Sequence, residues 1–189
     1  MKILETTRLL LRKWDADSDL KPFTAIVQDS RVMEYYPALC DEEWAKAIIK
    51  AHNEQIDKNG LGLLAVVLKS THEFIGYTGL MVPGFQAHFT PCVEIGWRLA
   101  YHTWGNGYAT EAALACVDYG FTTQKLEEIV SFTVLQNLRS RRVMEKLGMT
   151  HDEQENFAHP RLPKEHPLSM HVLYRLKKED WGRRLPQGS

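Results

Sequence analysis

Apolar residues recur along this chain with two different spacings, which predict strands and helices in turn. Short apolar runs bounded by turn residues predict strands at residues 7–14, 63–69, 74–82, 93–99 and 128–135. Helical spacing behind N-cap candidates predicts helices at residues 15–29, 41–58, 110–119 and 137–147. Two more strands are predicted near residues 151–157 and 168–176. This order predicts an α/β fold with about four helices.

Composition narrows the class of protein. The chain has 189 residues, which fits a single domain spanning residues 1–189. Its formal net charge of −1 gives no overall attraction to nucleic acid or to an anionic membrane. No apolar run is long enough to span a bilayer, and Glu5 and Arg8 interrupt any signal-peptide core. Cys40, Cys92 and Cys116 have neither zinc-site spacing nor an even number, so we expect no metal and a reducing, cytoplasmic compartment.

The most informative segment is a strand, a glycine turn and an alanine-rich helix within residues 93–121. The turn reads Trp104-Gly105-Asn106-Gly107-Tyr108-Ala109 and leads into Thr110. Glycine takes positive φ and lets a ligand approach the backbone. The first N–H groups of a helix have no carbonyl partner and lie at the positive end of the helix dipole, so they bind phosphate. The segment therefore predicts a phosphate site, although a tight turn without a ligand has the same glycine pattern.

Two common phosphate motifs do not fit this turn. A Walker loop ends in Gly-Lys-Ser/Thr, whereas Gly107 is followed by Tyr108 and Ala109. A dinucleotide fingerprint has a third small residue, where this chain has Thr110. The dinucleotide fingerprint also requires an acidic residue after the next strand, whereas this chain has Val-Leu-Gln at residues 134–136.

The turn instead resembles the acetyl-CoA loop of the GNAT superfamily of N-acetyltransferases, which reads Gln/Arg-x-x-Gly-x-Gly/Ala. Gly107 and Ala109 match the two small positions, while Trp104 replaces the Gln or Arg. The stretch from Trp104 to Ala112 also resembles the branch that includes the ribosomal-protein N-terminal acetyltransferases. The predicted order of elements matches the family from end to end. The resemblance implies a GNAT-like acyl-CoA N-acyltransferase fold, whose mainly antiparallel mixed sheet splays at its central strands.

A second motif supports the resemblance. Residues 137–149 are similar to the family's Asn-x-x-Ser segment, which continues to an apolar position and then to Gly-Met/Phe. Asn137 can cap a helix or bind a ligand amide, and Ser140 lies one turn further along the same face. Four basic residues suit the phosphates of coenzyme A, or else form a solvated face: Arg139, Arg141, Arg142 and Lys146.

The resemblance implies where acetyl-CoA would be held. In this family the backbone of the central strand pairs with the pantetheine amides, and the matching positions are Trp97 and Leu99. Asn137 and Arg142 are further candidates for cofactor contacts. The diphosphate is expected on the backbone of the turn, at Trp104, Gly105, Asn106, Gly107, Tyr108, Ala109 and Thr110.

Two side chains are candidates for catalysis. Glu94 lies on the strand of the pantetheine contacts, where related enzymes place a base, and an apolar strand would raise the pKa of its carboxyl group. A structural role for Glu94 remains open. Many family members use a tyrosine as general acid seven residues after the motif asparagine, but this chain has Met144 there. Ser140 is the alternative, as a group that hydrogen-bonds the developing thiolate, unless it only packs or caps.

The acceptor is the least determined part of the prediction. Tyr35, Tyr36 and His88 are expected to line its pocket, which the loops at residues 35–41, 83–91 and 157–167 would shape. These loops lack the acidic character expected of a site for polyamines or aminoglycosides. That favours a protein or peptide N-terminus or another small amine.

The resemblance implies an N-acetyltransferase that moves acetyl from acetyl-CoA to a primary amine in one direct, sequential step. It implies no metal, nucleic-acid or membrane partner, and the protein would act as a monomer or homodimer. The alternative is a catalytically idle acyl-CoA-binding sensor or regulatory module on the same fold, because the usual tyrosine acid is missing.

Overall fold

A computed structural model of the chain describes residues 2–183. The described residues include nine strands: β1 (Lys2–Glu5), β2 (Leu9–Arg12), β3 (Gly62–Leu68), β4 (Phe74–Met81), β5 (Glu94–Leu99), β6 (Glu128–Val134), β7 (Thr150–His151), β8 (Phe157–Ala158) and β9 (Met170–Lys177). They also include five α-helices: α1 (Ala16–Gln28), α2 (Glu42–Asn59), α3 (Tyr108–Thr122), α4 (Leu138–Leu147) and α5 (Lys178–Gly182). Short 3₁₀ turns occur at Tyr101–Thr103 and Glu153–Glu155. The chain forms two compact units, and β5 and α3 each contribute to both.

The first unit contains residues 2–81 and 96–116 of the described chain. Strands β1 to β4 pair in chain order, each antiparallel to the next. The N–H of Ala100, just after β5, donates to the carbonyl of Ile75 on β4 at 2.8 Å. Apolar side chains from α1, α2, β3 and β4 form the core of this unit: Trp14, Phe23, Ile26, Val27, Val32, Met33, Ala45, Ile49, Leu63, Ala65, Phe74, Tyr77 and Ala100.

The second unit contains residues 82–95 and 117–183. The start of β5 runs parallel to β6, and Glu94 and Val130 are the registered pair of these two strands. Strand β6 is antiparallel to β9 along its whole length, from Glu128 opposite Lys177 to Val134 opposite His171. The short strands β7 and β8 also pair with β9. One apolar cluster in the core of this unit contains Phe89, Val130, Phe157 and Leu173.

The predicted fold class is confirmed: the strands form a mixed, mainly antiparallel α/β arrangement. Capping residues are found at three of the helix ends. Asp15 caps α1 by accepting from the N–H groups of Asp17 and Ser18. Gly60 ends α2 and Gly148 ends α4 in the left-handed conformation, with φ of 75° and 80°.

Four details of the prediction were wrong. Strand β1 and helix α5 were missed, because each is too short to show a periodic pattern. Helix α3 begins at Tyr108, two residues earlier than predicted, and extends to Thr122. Residues 151–157 do not form one strand, because Asp152 accepts from the N–H of Gln154 and starts the second 3₁₀ turn.

Gly76 on β4 fits the fold where another residue would not. Its φ is 133°, and a Cβ atom there would lie 2.2 Å from the carbonyl oxygen of Arg98. Both the backbone angle and the contact exclude an L side chain.

We therefore predict that Gly76→Ala lowers the free energy of unfolding by at least about 2 kcal/mol, measured by urea denaturation. Gly182→Ala in α5 is the matched control, because no atom lies within 4 Å of the added Cβ. Equal stability of both variants would contradict this account of Gly76.

Candidate functional site

The glycine turn begins with a fixed tryptophan. The indole Nε1 of Trp104 donates to the carbonyl of Leu99 at 2.9 Å, and its backbone N–H donates to the carbonyl of Tyr101 at 3.1 Å. Gly105 and Gly107 both have φ of 80°, as predicted for these two glycines. No atom lies within 4 Å of a Cβ placed on Gly105, so one side of the turn is open.

The turn delivers unpaired N–H groups at the start of α3. The first helical hydrogen bond of this segment runs from the N–H of Glu111 to the carbonyl of Gly107 at 3.0 Å. The N–H groups of Tyr108, Ala109 and Thr110 precede it, so the helix offers them no carbonyl. Together with the helix dipole, they make this turn suited to an anion.

An ion pair that sequence reasoning missed lies at the same turn. The Nε of Arg8 contacts the Glu111 carboxylate at 2.6 Å, and its Nη1 donates to the carbonyl of Asn106 at 2.9 Å. The guanidinium carbon lies 4.5 Å from the ring centroid of Tyr108. Arg8 thus places a guanidinium at the turn, paired with the Glu111 carboxylate, and its side chain is 46% exposed. Nothing in the sequence links residues so far apart in the chain.

Glu111 is held by three donors. Thr6 Oγ1 donates to it at 2.6 Å, and the N–H of Arg8 donates at 2.8 Å, in addition to the guanidinium. Burial alone would raise the pKa of this carboxyl group, but these hydrogen bonds outweigh it, so the pKa of Glu111 lies below its ordinary value. The carboxylate is therefore ionised and keeps Arg8 beside the turn.

The turn uses some of the groups that were predicted to bind cofactor. The N–H of Trp104 and the carbonyl of Leu99 each already have a protein partner. The Asn106 side chain donates to the carbonyls of Thr103 and Trp104, at 3.1 and 3.2 Å. The cofactor roles predicted for these residues and for the half-buried Trp97 remain predictions.

Glu94 is a buried carboxyl group in the second unit. Its side chain is on β5, it is 8% exposed, and no donor within residues 2–183 forms a hydrogen bond with it. Burial raises the pKa of Glu94 to about 8, and the positive charge of Arg161 only partly opposes this. A carboxyl group that titrates near neutrality without a structural partner is suited to proton transfer.

Two of the three loops predicted to shape the acceptor pocket, residues 83–91 and 157–167, lie in this unit. Arg161, which influences Glu94, donates from Nη2 to the carbonyl of Gly84 at 2.9 Å and so joins residues 83–91 to residues 157–167. The exposed His88 contacts Phe89, with ring centroids 5.2 Å apart. Around these loops lie further aromatic rings, namely Phe85, Phe132, Phe157, His159 and His171.

Burial disfavours the charged form of two histidines in this aromatic group. Burial lowers the pKa of His159 to about 4, with smaller contributions from His171 and Arg161. Burial also lowers the pKa of His171, against a hydrogen bond to the carbonyl of Ser169. The group therefore presents a largely uncharged surface.

The second motif lies at the start of α4, where Asn137 caps the helix, and its predicted contact with the cofactor stays a prediction. Asn137 Oδ1 accepts from the N–H of Ser140 at 3.2 Å, and its Nδ2 donates to Thr133 Oγ1 at 3.0 Å. Asn137 is thus a helix cap with both ends of its amide engaged. The half-buried hydroxyl of Ser140 has no hydrogen-bond partner in the described part of the chain, so it can contact a ligand.

The basic residues of this helix differ in their surroundings. Arg141 is folded back onto the protein, with its Nε donating to the Tyr174 hydroxyl at 3.2 Å and its Nη1 to the carbonyl of Leu135 at 3.2 Å. Arg142 is exposed, which keeps it available for a phosphate. Met144, at the position of the usual tyrosine acid, is 1% exposed and packs in the core.

The predicted acceptor residues Tyr35 and Tyr36 lie in the first unit, between α1 and α2. Tyr36 covers a buried arginine: the guanidinium carbon of Arg98 lies 3.9 Å from its ring centroid. Sequence reasoning passed over Arg98, because an arginine in a predicted strand gives no sign of being buried.

Metal and membrane features are not found in the part of the structure that is described. Residues 2–183 contain no group of three or more His, Cys, Asp or Glu side chains arranged to hold a metal ion. None of the helices in that range combines the length and the apolar composition of a membrane span.

Comparison with known proteins agrees with this architecture. Residues 8–150 match the family model "Acetyltransferase (GNAT) domain". The chain is 31% identical to the uncharacterised N-acetyltransferase YnaD of Bacillus subtilis over 180 residues, which cover 94% of this chain and 98% of the relative. It is 27% identical to a crystal structure of a GNAT-family acetyltransferase from Bacillus anthracis, with a TM-score of 0.76, covering 95% and 99% of the two chains.

A more distant structure shares only the fold. The ribosomal L7/L12 alpha-N-protein acetyltransferase RimL, solved in complex with coenzyme A, is 12% identical, with a TM-score of 0.75 and coverage of 95% and 99%. The family model spans most of the chain, and the YnaD match extends almost from end to end. On this evidence the chain belongs to the GNAT family of acetyltransferases.

Proposed function

We propose that this chain transfers an acetyl group from acetyl-CoA directly to a primary amine. The observation that carries the proposal is the start of α3, where N–H groups without a helical partner follow two glycines in left-handed conformation. Arg8 adds a positive charge at the same turn. These features suit the diphosphate of coenzyme A, and the distant relative RimL, solved with coenzyme A, supports this choice of cosubstrate.

The transfer needs a base for the attacking amine. A protonated amine is not a nucleophile, so its proton must leave before nitrogen attacks the thioester carbonyl carbon. Glu94 is our candidate base, acting directly or through one water. Its pKa of about 8 is closer to the pKa of an amine than the pKa of an ordinary carboxyl group is. Its carboxylate takes this proton, and the neutral amine then attacks the carbonyl carbon to form the new carbon–nitrogen bond.

The leaving group needs stabilisation as the carbon–sulfur bond breaks. Met144 is apolar and buried, so it supplies no proton to the thiolate. We assign this contact to the hydroxyl of Ser140, which has no protein acceptor in the described chain and can donate a hydrogen bond to sulfur. The thiolate then takes up a proton and leaves as free coenzyme A.

The acceptor we propose is a protein or peptide N-terminus or another small amine. The support is the aromatic, largely uncharged surroundings of the loops near Glu94. We expect a monomer or homodimer without a nucleic-acid or membrane partner. The cytoplasm is our proposed compartment, supported by the absence of disulfides at Cys40, Cys92 and Cys116.

Gly107→Val tests the cofactor site. Valine disfavours φ of 80° and places a branched side chain at the turn, so acetyl-CoA affinity should fall at least about tenfold, or 1.4 kcal/mol. Calorimetric titration measures this, with circular dichroism as the check on folding. Gly182→Val, far along the chain in α5, is the control and should bind as the wild type does. Wild-type affinity in a folded Gly107→Val protein would place the cofactor elsewhere.

Glu94→Gln and Ser140→Ala test the two catalytic roles. Each should lower kcat by up to about 10²-fold while acetyl-CoA binding is kept. The matched controls are Glu127→Gln, whose carboxylate is exposed and paired with Lys178, and Ser30→Ala on the surface. The measurement is kcat from steady-state rates at saturating acetyl-CoA. Wild-type kcat in either catalytic variant would show that the replaced residue has no catalytic role.

The proposed role of Glu94 as the base also predicts how kcat/KM depends on pH. Only ionised Glu94 accepts a proton, so wild-type kcat/KM should rise with pH through about 8, and Glu94→Gln should lose that limb. Because folding raises this pKa from 4.5, wild-type stability should also fall as pH rises from 4.5 towards 8, whereas Glu94→Gln should show a flatter dependence. If kcat/KM of Glu94→Gln still rose with pH through about 8, the titrating group would be a residue other than Glu94.

Direct transfer predicts sequential kinetics, because both substrates must be bound at once. The lines of double-reciprocal plots should intersect.

The cysteines are not expected to form an acetyl-enzyme. Burial raises the pKa of Cys116 to about 12 and, with Glu94, that of Cys92 to about 11, so neither thiol is a ready nucleophile. Changing Cys40, Cys92 and Cys116 to Ala should leave turnover within about threefold, apart from a packing loss at Cys116. Parallel lines, or a trapped acetyl-enzyme competent in transfer, would overturn direct transfer. Absence of turnover with any amine would instead favour an idle acyl-CoA-binding module.

A further inference from the structure

Arg98 is a buried cation without a counterion. It lies on β5 and is 7% exposed, and its Nε and Nη1 atoms have no hydrogen-bond partner. No carboxylate forms an ion pair with it within residues 2–183. Buried charges are costly unless they are paired and hydrogen-bonded. An arrangement of this kind calls for a partner that the chain itself does not supply.

The neighbours of Arg98 are aromatic rings. The guanidinium carbon lies 3.9 Å from the ring centroid of Tyr36, 5.5 Å from that of Tyr77 and 5.8 Å from that of Trp44. Aromatic faces attract the positive charge, which compensates part of its desolvation. They act on the face of the guanidinium, however, whereas its N–H groups lie in the guanidinium plane and need an acceptor. The rings hold the arginine in place without satisfying Nε and Nη1.

The cover of this aromatic cage faces solvent. Tyr36 is 42% exposed and Trp44 is 36% exposed, although the arginine beneath them is not. Tyr36 lies in a segment between α1 and α2 that forms neither helix nor strand. A rotation of the Tyr36 side chain would therefore open Arg98 to a ligand without disturbing a hydrogen-bonded element. Arg98 is thus held on strand β5, whereas the Tyr36 ring that covers it lies on a loop.

We propose that Arg98 is an anion-binding subsite that recognises a carboxylate on the acyl acceptor. This rests on the proposed transfer to an amine and narrows the acceptor to amines that also carry a carboxylate, such as an amino acid or an acidic peptide. A carboxylate supplies both the negative charge and the in-plane acceptors that the guanidinium lacks. The cofactor's diphosphate does not need this arginine, because the turn at Gly105 and Gly107 offers its own N–H groups and Arg8.

The test compares matched acceptors. Amino acids, ω-amino acids and acidic dipeptides are each assayed beside the neutral amide of the same compound. The quantity measured is the acid-to-amide ratio of kcat/KM in a variant relative to the same ratio in the wild type, which cancels the different basicity of the two amines. Arg98→Met should lower this ratio at least about tenfold, mainly through the KM of the acid, and Arg98→Lys should lower it less.

Arg31 provides the matched control. Its guanidinium also stacks on a tyrosine, with 4.0 Å from its carbon to the Tyr101 ring centroid, but it is exposed and paired with Asp29 at 2.6 Å. Arg31→Met should leave the acid-to-amide ratio unchanged. Acetyl-CoA affinity should stay within about threefold in Arg98→Met. A comparable loss of cofactor affinity would make Arg98 a cofactor contact and overturn the proposal.

Stability separates a binding role from a structural one. Replacing a buried unpaired charge by an apolar side chain of similar length should leave Tm unchanged or raise it. A Tm lower by more than about 5 °C would assign Arg98 to the fold and overturn the subsite. A structural arginine would also not change the acid-to-amide ratio.

Binding measurements without turnover test the Arg98 subsite separately from the proposed acetyl transfer. The same acids and amides are titrated calorimetrically into the protein saturated with coenzyme A. Acids that bind through Arg98 without any turnover would uphold the subsite and contradict the transfer reaction. Turnover without a preference for acids, in the wild type and in Arg98→Met alike, would uphold the reaction and overturn the subsite.

Discussion

The glycine turn depends on one carboxylate. Glu111, in the first turn of α3, accepts hydrogen bonds from Thr6, from the Arg8 backbone and from the Arg8 guanidinium. It therefore fixes the segment before β2 against the start of the helix and keeps a cation beside the unpaired N–H groups. A negative charge so close to a helix N-terminus is also favourable to the dipole. The side of the turn at Gly105 is open to a ligand, whereas the Arg8 guanidinium lies beside Gly107.

Strand β5 carries two ionisable side chains that are buried without the usual compensation. Glu94 has no hydrogen-bond donor among the described residues, and Arg98 has two nitrogens without an acceptor. Either could be replaced by an apolar residue if stability were the sole requirement, because burial of an unpaired charge opposes folding. Groups with perturbed ionisation concentrate at functional sites, which agrees with the roles proposed for these two residues.

Much of the fold could be predicted, because local rules determine it. Asp15 and Asn137 act as N-caps of helices that the apolar spacing predicted, and Gly60 and Gly148 end two such helices in the left-handed conformation. The two glycines of the turn also take positive φ as expected. The short elements β1 and α5 and the broken strand at residues 151–157 could not be predicted, because pairing with β9 and a single capping aspartate decide them.

The sequence by itself determined the family, the position of the glycine turn and the candidates Glu94 and Ser140, because each depends on residues close together in the chain. Tertiary structure alone decided which charges are buried and which are paired. Arg8 meets Glu111 across 103 positions, and Arg98 is enclosed by rings from three separate segments. The pKa of a group and the availability of its donors depend on such neighbours, and spacing along the chain does not specify them.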